Sequence, residues 1–268
     1  MDNALERIFA AGSERSRLAE RGEPYESVRD RALQSVVQRR AFLAALRAAE
    51  GTAIVAEIKR ASPSAGLLAH NFDPVAIART YTDAGADAIS VLTEPDYFLG
   101  DLSYLEAVRA ATDLPLLRKD FIARRYDVAQ SAAYGADCML LIVAGLDDTA
   151  LDACLDEARS YALDVLVEVH DEAELRRAIA RGAEFVGVNN RDLRTLTTDL
   201  ATSELLLPSV PADVFAISES GMHEAQDVER VRQAGARGFL IGESLMRAES
   251  PRRLIESFKA SLAARPTL

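Results

Sequence analysis

Eight short apolar segments recur along most of this chain, and each is followed by a stretch with helical spacing. They are rich in β-branched residues and read 53–58 AIVAEI, 88–93 AISVLT, 115–119 PLLRK, 138–143 CMLLIV, 164–169 DVLVEV, 185–189 FVGVN, 214–219 VFAISE and 238–242 GFLIG. The intervening stretches carry their charges on one face, as amphipathic helices do. A strand followed by a helix, eight times over, predicts a parallel sheet covered on both faces.

An internal repeat indicates how this sheet is arranged. A glycine stands before each even-numbered strand, about every 50 residues, at Gly85, Gly135, Gly182 and Gly235. Glycine at the end of a helix adopts the left-handed conformation that turns the chain into the next strand. Two strand–helix units repeated four times close more naturally into a barrel than into an open sheet. The sequence therefore predicts an α/β fold, a (β/α)8 TIM barrel with an N-terminal helical extension.

The length of 268 residues fits one such domain. We predict a single domain over 1–268, with the helical extension at 1–50 and the barrel at 51–268. The clearest amphipathic helix of the extension is SVRDRALQSVVQRRAFLAALRAAE, at 27–50. The extension could plug the floor of the barrel or border its mouth, and the sequence leaves both placements open.

Charge and composition limit the classes of ligand that the protein could bind. A net charge of -11, with scattered Lys and Arg, argues against nucleic acid but allows a small anionic ligand. Cys138 and Cys154 lack metal-ligand spacing, which favours a packing role for both. The N-terminus lacks the pattern of a signal peptide, and no run has the length of a membrane span. We expect a cytoplasmic protein without membrane contact and, since no helix has an excess apolar face, a monomer.

Ionisable and amide side chains stand where several predicted strands end. Catalytic groups of such barrels come from these positions. Burying so many charges together is costly unless a ligand uses them, and close Lys and Glu residues suit acid–base chemistry. The residues are Glu57, Lys59, Lys119, Glu168, Asn189, Arg191 and Glu219.

Further signals indicate a phosphate site and an apolar wall. Ser220–Gly221 follows strand seven, and Gly242–Glu243 follows strand eight, where such barrels commonly hold phosphate. Phe98 and Phe121 lie in loops on the same side, and the turn-rich segment 60–66 is long enough to act as a lid. Neither a dinucleotide-binding glycine motif, a P-loop nor a histidine metal triad is present, so we expect no metal and no cofactor.

From about residue 3 to about residue 260 the chain resembles the indole-3-glycerol phosphate synthase family. The resemblance rests on VAEIKRASPSAG, SVLTEPDYFLGDLSYL, LLRKDFI, GADCMLLIV, LVEVH, GVNNRDLRTL, ISESG and FLIGESLMR. It implies a carboxy-lyase of tryptophan biosynthesis. The family converts 1-(2-carboxyphenylamino)-1-deoxyribulose 5-phosphate to indole-3-glycerol phosphate by ring closure, decarboxylation and dehydration, without a cofactor.

The resemblance also implies roles for the strand-end residues. Lys119 is implied as the general acid, held and tuned by Glu219, and Glu168 as the base. Lys59 is implied as a second acid and as the partner of the anthranilate carboxylate. Glu57 and Asn189 would hold ribulose hydroxyls.

The remaining implied residues bind the substrate. Arg191 contacts the substrate or supports residues that do, and Ser62 belongs to the loop that covers it. Phosphate would sit on Ser220, Gly221, Gly242 and the backbone of Glu243. The anthranilate pocket would be lined by Pro63, Phe98, Phe121 and Leu193.

Two other functions are compatible with a phosphate-binding barrel. Phosphoribosylanthranilate isomerase shares the phosphate-binding mouth but needs a Cys and an Asp at strand ends, whereas Cys138 begins a strand. A non-catalytic barrel that only binds a phosphorylated ligand would not need Lys119, Glu168 and Glu219 together. Both alternatives fit the residues less well than the synthase does.

Overall fold

The computed structural model describes residues 4–263 and contains a closed barrel of eight parallel strands. They are β1 (Ala53–Ile58), β2 (Ala88–Leu92), β3 (Leu116–Lys119), β4 (Cys138–Ile142), β5 (Asp164–Val169), β6 (Phe185–Asn189), β7 (Phe215–Glu219) and β8 (Gly238–Ile241). β8 pairs with β1 and closes the sheet. All eight predicted strands are confirmed to within one residue at either end.

The small differences at strand ends have local causes. Pro115 lacks the N–H that would extend β3. Val143 begins a short 3-10 turn rather than continuing β4. Gly242 is the residue before the helix Glu243–Arg247.

Helices alternate with the strands as the sequence predicts. Three precede the barrel: α1 (Ala4–Gly22), α2 (Tyr25–Ser35) and α3 (Phe42–Ala48). The others are α4 (Pro74–Asp83), α5 (Pro95–Phe98), α6 (Leu102–Arg109), α7 (Arg125–Ala133), α8 (Asp148–Ser160), α9 (Glu172–Ala180), α10 (Ala201–Leu206), α11 (Ala225–Gln233), α12 (Glu243–Arg247) and α13 (Pro251–Ala263). Gly85 and Gly135 follow α4 and α7 with φ of 83° and 89°, the left-handed conformation expected of them. None of the described helices is long and apolar enough to cross a membrane.

The stretch 27–50 is not one helix. It divides into α2 and α3, with a 3-10 turn at Val36–Gln38 between them. Arg39 and Arg40 leave the helical path because their side chains bind backbone carbonyls at the floor of the barrel, among them those of Ala136 and Leu114. Tertiary hydrogen bonds therefore override the local helical pattern here.

The extension contacts both ends of the barrel. On the floor, the N–H of Leu43 in α3 donates to Asp164 at the start of β5, at 2.8 Å. At the mouth, the ring of Phe9 in α1 packs edge-on against Phe121 after β3, with centroids 5.4 Å apart. Different helices thus occupy the two placements that the sequence left open.

Packing fills the barrel and the layer beneath its helices. Most strand residues are buried on both faces, as expected when helices cover the outside. Cys138 and Cys154 are free and buried within this core, which agrees with the packing role predicted for them.

Candidate active site

Lys119 ends β3 and lies between two buried glutamates. Its Nζ donates to Oε2 of Glu168 at 3.0 Å and to Oε2 of Glu219 at 2.8 Å. Each glutamate side chain is only 1 % exposed. The ends of β3, β5 and β7 therefore bring one ammonium and two carboxylates into direct contact.

Burial and the neighbouring charges shift these three groups in different directions. Burial lowers the pKa of Lys119, but Glu168 and Glu219 outweigh it, so this pKa is raised above its ordinary value. Burial also raises the pKa of Glu168, but Lys119 and His170 outweigh burial and hold this pKa well below its usual range. For Glu219, burial dominates over Lys119 and raises the pKa to about 7.

This difference between the two glutamates has a structural cause. Oε1 of Glu168 has a second cationic neighbour in His170, at 3.4 Å from Nε2. Oε1 of Glu219 is buried and has no hydrogen-bond partner among the described residues. Two carboxylates that share one ammonium cannot both be fully compensated. The site thus holds an ionised Glu168 beside a Glu219 whose ionised form is less favoured, an arrangement suited to acid–base chemistry.

A second ion pair lies at the end of β1. Nζ of Lys59 is 2.6 Å from Oε1 of Glu57, and the Lys59 side chain is 14 % exposed. Residues two apart along a strand share a face, which brings these two side chains together. Gly242 lies so close that a Cβ there would be 2.2 Å from Oε1 of Glu57, so only glycine leaves room for this carboxylate.

One cavity at the mouth of the barrel gathers most of the predicted site. The predicted residues that line it are Glu57, Lys59, Ser62, Phe98, Lys119, Asn189, Arg191, Leu193, Glu219, Ser220, Gly221, Gly242 and Glu243. Three predicted residues lie outside its lining. Glu168 is buried beside Lys119, Pro63 is exposed on the loop after β1, and Phe121 is buried between Phe9 and Phe98.

Backbone geometry shapes the end of the cavity where phosphate was predicted. Ser220 and Gly221 follow β7 with φ of 65° and 83°. Such consecutive left-handed residues turn the chain sharply at the cavity wall. Helix α12 begins at Glu243, whose Oε2 is 3.6 Å from Nη2 of Arg191. Arg191 thus links the loop after β6 to the start of this helix.

Several residues of the site were not predicted from the sequence. Ser244 lines the cavity, and its Oγ donates to the carbonyl of Met222 at 2.6 Å. His170 contacts Glu168 from behind the cavity. Its position immediately after β5 is the one signal in the sequence that points to such a contact. Among residues 4–263, no group of three or more His, Cys, Asp or Glu is placed to hold a metal ion.

Solved structures with the same fold support the architecture. The 3-hexulose-6-phosphate synthase from Salmonella typhimurium superposes with a TM-score of 0.64 at 15 % identity, over 78 % of this chain and 98 % of that one. A thiamine phosphate pyrophosphorylase from Pyrococcus furiosus gives a TM-score of 0.59 at 18 % identity, over 79 % and 95 %. At these identities the likeness concerns the barrel fold alone.

Sequence comparisons are more specific. The family model described as indole-3-glycerol phosphate synthase matches residues 5–258. The indole-3-glycerol phosphate synthase of Roseiflexus sp. (strain RS-1) is 48 % identical over 259 residues, which cover 92 % of this chain and 95 % of that protein. The one from Polaromonas sp. (strain JS666) is 45 % identical over 256 residues, or 94 % and 96 %. The chain therefore belongs to the indole-3-glycerol phosphate synthase family.

Proposed function

We propose that the mouth of this barrel converts 1-(2-carboxyphenylamino)-1-deoxyribulose 5-phosphate to indole-3-glycerol phosphate, with Lys119 as the general acid. Membership of the family gives the reaction, a carboxy-lyase step of tryptophan biosynthesis. The contact of Lys119 with Glu168 and Glu219 is the observation that carries the assignment of roles. No cofactor is needed for the steps that follow.

Ring closure requires an acid. The aromatic carbon that bears the carboxylate attacks the ribulose carbonyl, and the carbonyl oxygen takes a proton from Nζ of Lys119 to become a hydroxyl. Loss of carbon dioxide then returns the bonding electrons to the ring and restores aromaticity. Glu219 holds Lys119 at 2.8 Å and so fixes the direction of this proton transfer.

Dehydration requires an acid and a base. The hydroxyl formed from the ribulose carbonyl takes a proton from Lys59 and leaves as water. Glu168 removes a proton from the adjacent carbon of the new five-membered ring, and the carbon–carbon double bond forms between these two positions. A positioned acid or base typically contributes about 10²–10⁴ to a rate. The two lysines lie at the ends of β1 and β3, so they can serve different bonds of one bound substrate.

The rest of the cavity suits the ends of this substrate. Lys59 pairs with the anthranilate carboxylate, with Phe98 and Leu193 as the apolar wall. Phe121 supports Phe98 from behind, with ring centroids 6.0 Å apart. The ribulose hydroxyls lie against Glu57 and Asn189, whose Oδ1 accepts the N–H of Arg191 at 3.0 Å. Ser62 and Pro63 belong to the loop that covers the substrate.

Phosphate completes the substrate at the other end of the cavity. We assign it to Ser220, Gly221, Gly242 and the backbone of Glu243, where glycines allow N–H groups to approach an anion. We further propose that the chain is one domain and acts as a cytoplasmic monomer. Its net charge of -11 disfavours nucleic acid as a partner.

The test is a fluorescence assay of the purified protein with the carboxyphenylamino-deoxyribulose phosphate, without added metal or cofactor. We expect turnover to indole-3-glycerol phosphate that falls by about 10²-fold or more in Lys119→Ala and Glu168→Ala. Lys259→Ala is the matched control, because Lys259 pairs with Asp87 outside the cavity at 2.9 Å. No turnover by the parent protein would refute the synthase reaction and favour a barrel that only binds phosphorylated ligands.

A further inference from the structure

His170 lies behind the active site, in contact with a residue that the proposed reaction uses. It follows the last residue of β5, and its side chain is 11 % exposed. Nε2 lies 3.4 Å from Oε1 of Glu168, on the opposite side of that carboxylate from Lys119. His170 is not part of the cavity wall, so any effect on the reaction must pass through Glu168.

Glu174 fixes the position of His170. Oε2 of Glu174 accepts the backbone N–H of His170 at 2.8 Å and lies 3.0 Å from its Nδ1. Glu174 is in the first turn of α9, which begins two residues after His170. One carboxylate oxygen therefore holds both the backbone and the ring. Nε2 is left buried at ion-pair distance from Glu168, without a hydrogen-bond partner among the described residues.

The charges around this imidazole favour its protonated form. The groups that face it are Glu168 from β5 and Glu174 from α9. Lys119 lies beyond Glu168, and Arg194 on the loop after β6 interacts electrostatically with Glu174. Burial lowers the pKa of His170, but the two carboxylates outweigh burial and raise this pKa to about 10. A cation at this point completes an alternating row: Lys119, Glu168, His170, Glu174.

Such a row matters when the proton of Lys119 is used. Burial disfavours the ionised form of Glu168, and the two cations Lys119 and His170 oppose this effect of burial. When Lys119 gives its proton to the substrate carbonyl, Glu168 loses one of these two cations. Once Lys119 is neutral, His170 is the cation that still contacts Glu168.

We infer that His170 is a positioning residue of this site: held by Glu174, it orients the carboxylate of Glu168 and keeps it ionised while Lys119 donates its proton. The inference rests on the proposed function. It assigns no new chemical step, since His170 touches neither the substrate nor the reacting atoms.

The test compares His170→Asn and His170→Gln with the parent protein. Asparagine removes the donor that faces Glu168, whereas glutamine places a neutral N–H near the position of Nε2. We expect His170→Asn to lower kcat on the order of tenfold to a hundredfold with little change in KM, and to move the acidic limb of the kcat–pH profile to higher pH. His170→Gln should recover part of kcat but keep the shifted limb, because it restores the contact without the charge.

Two further measurements separate this role from a structural one. Glu174→Gln keeps the hydrogen-bonding side chain but removes one of the two carboxylates that raise the pKa of His170. The imidazole should then deprotonate at lower pH, and kcat should fall at alkaline pH. His70→Asn, at an exposed position outside the cavity, is the control for removing a histidine. NMR of the ring carbons in the parent protein should show His170 still protonated at pH 8.

The outcomes are distinguishable from those of the function assay. An inactive parent protein would refute the proposed reaction, while the NMR titration would still report on the charge of His170. An active parent with an unshifted profile in folded His170→Asn would overturn the inference. Titration of His170 near its ordinary pKa would overturn it equally.

Discussion

Gly187 on β6 illustrates how a single missing side chain permits the active-site contacts. A Cβ at this position would lie 2.0 Å from Oε1 of Glu219, far inside van der Waals contact. With a Cβ there, the carboxylate of Glu219 could not remain where it binds Lys119. Glycine is needed here because it leaves room for a side chain of the neighbouring strand β7, not because of its own backbone conformation.

Gly187→Ala is therefore expected to damage activity more than stability. The methyl group should push the Glu219 carboxylate away from Lys119, and kcat should fall by about tenfold or more. Gly22→Ala is the control, since a Cβ there meets no atom within 4 Å. Steady-state kinetics together with thermal unfolding test this. An unchanged kcat in Gly187→Ala would contradict the idea that Glu219 must occupy this position.

The residues of the site differ in how far the sequence could predict them. Glu57, Lys59 and Lys119 follow from one rule, that catalytic groups of a barrel stand at strand ends. His170 obeys the same rule by position. Its contacts depend on Glu174 at the start of a helix, and no periodicity reveals which side chain turns back towards the strand.

At the scale of whole elements, strands were easier to predict than the extension. An apolar β-branched run between turn residues specifies a buried strand by itself. An amphipathic helix shows only that one face is buried, not which surface covers it. Helix α1 borders the mouth of the barrel and α3 lies against its floor, and neither position follows from the pattern of the helix.

Asp137, at the floor, anchors the extension to the barrel. Its side chain is buried; Oδ1 accepts the N–H of Arg40 and Oδ2 that of Leu116, both at 2.8 Å, and it also pairs with Arg109. Asp137→Ala would leave these donors without their acceptor. We expect a loss of about 1–3 kcal/mol in the free energy of unfolding, because the buried N–H of Leu116 is left without its acceptor.

The same substitution should leave kcat unchanged, because the floor lies at the opposite end of the strands from the cavity. Urea unfolding and steady-state kinetics measure the two effects separately. Asp113→Ala is the control: Asp113 is exposed and pairs with Arg40 at 3.0 Å, so its loss should cost less than about 1 kcal/mol. Equal effects of the two substitutions on unfolding would contradict the anchoring role.

For the molecule as a whole, the two ends of the barrel differ in what their buried charges do. The floor pairs its charges with backbone groups and so contributes stability. The mouth buries Glu168, Glu219 and Lys119 together, at a desolvation cost that a ligand-binding site can justify. Chemistry at the mouth is thus tolerated because packing elsewhere supplies the stability.

Folding of the whole chain should also be linked to the proton on His170. Its pKa is raised in the folded protein to about 10, from an ordinary value of 6.5, so between these values the folded state binds more protons than the unfolded state. The stability contributed by His170 is therefore complete below pH 6.5 and is lost as pH rises through 10. We expect the difference in unfolding free energy between the parent and His170→Asn to shrink steadily across this window. Urea unfolding of both proteins from pH 6 to 10 measures it, with His70→Asn as the control, which should track the parent throughout. A difference that stays constant with pH would mean that the imidazole gains no proton affinity on folding and that its contacts with Glu168 and Glu174 are those of a neutral ring.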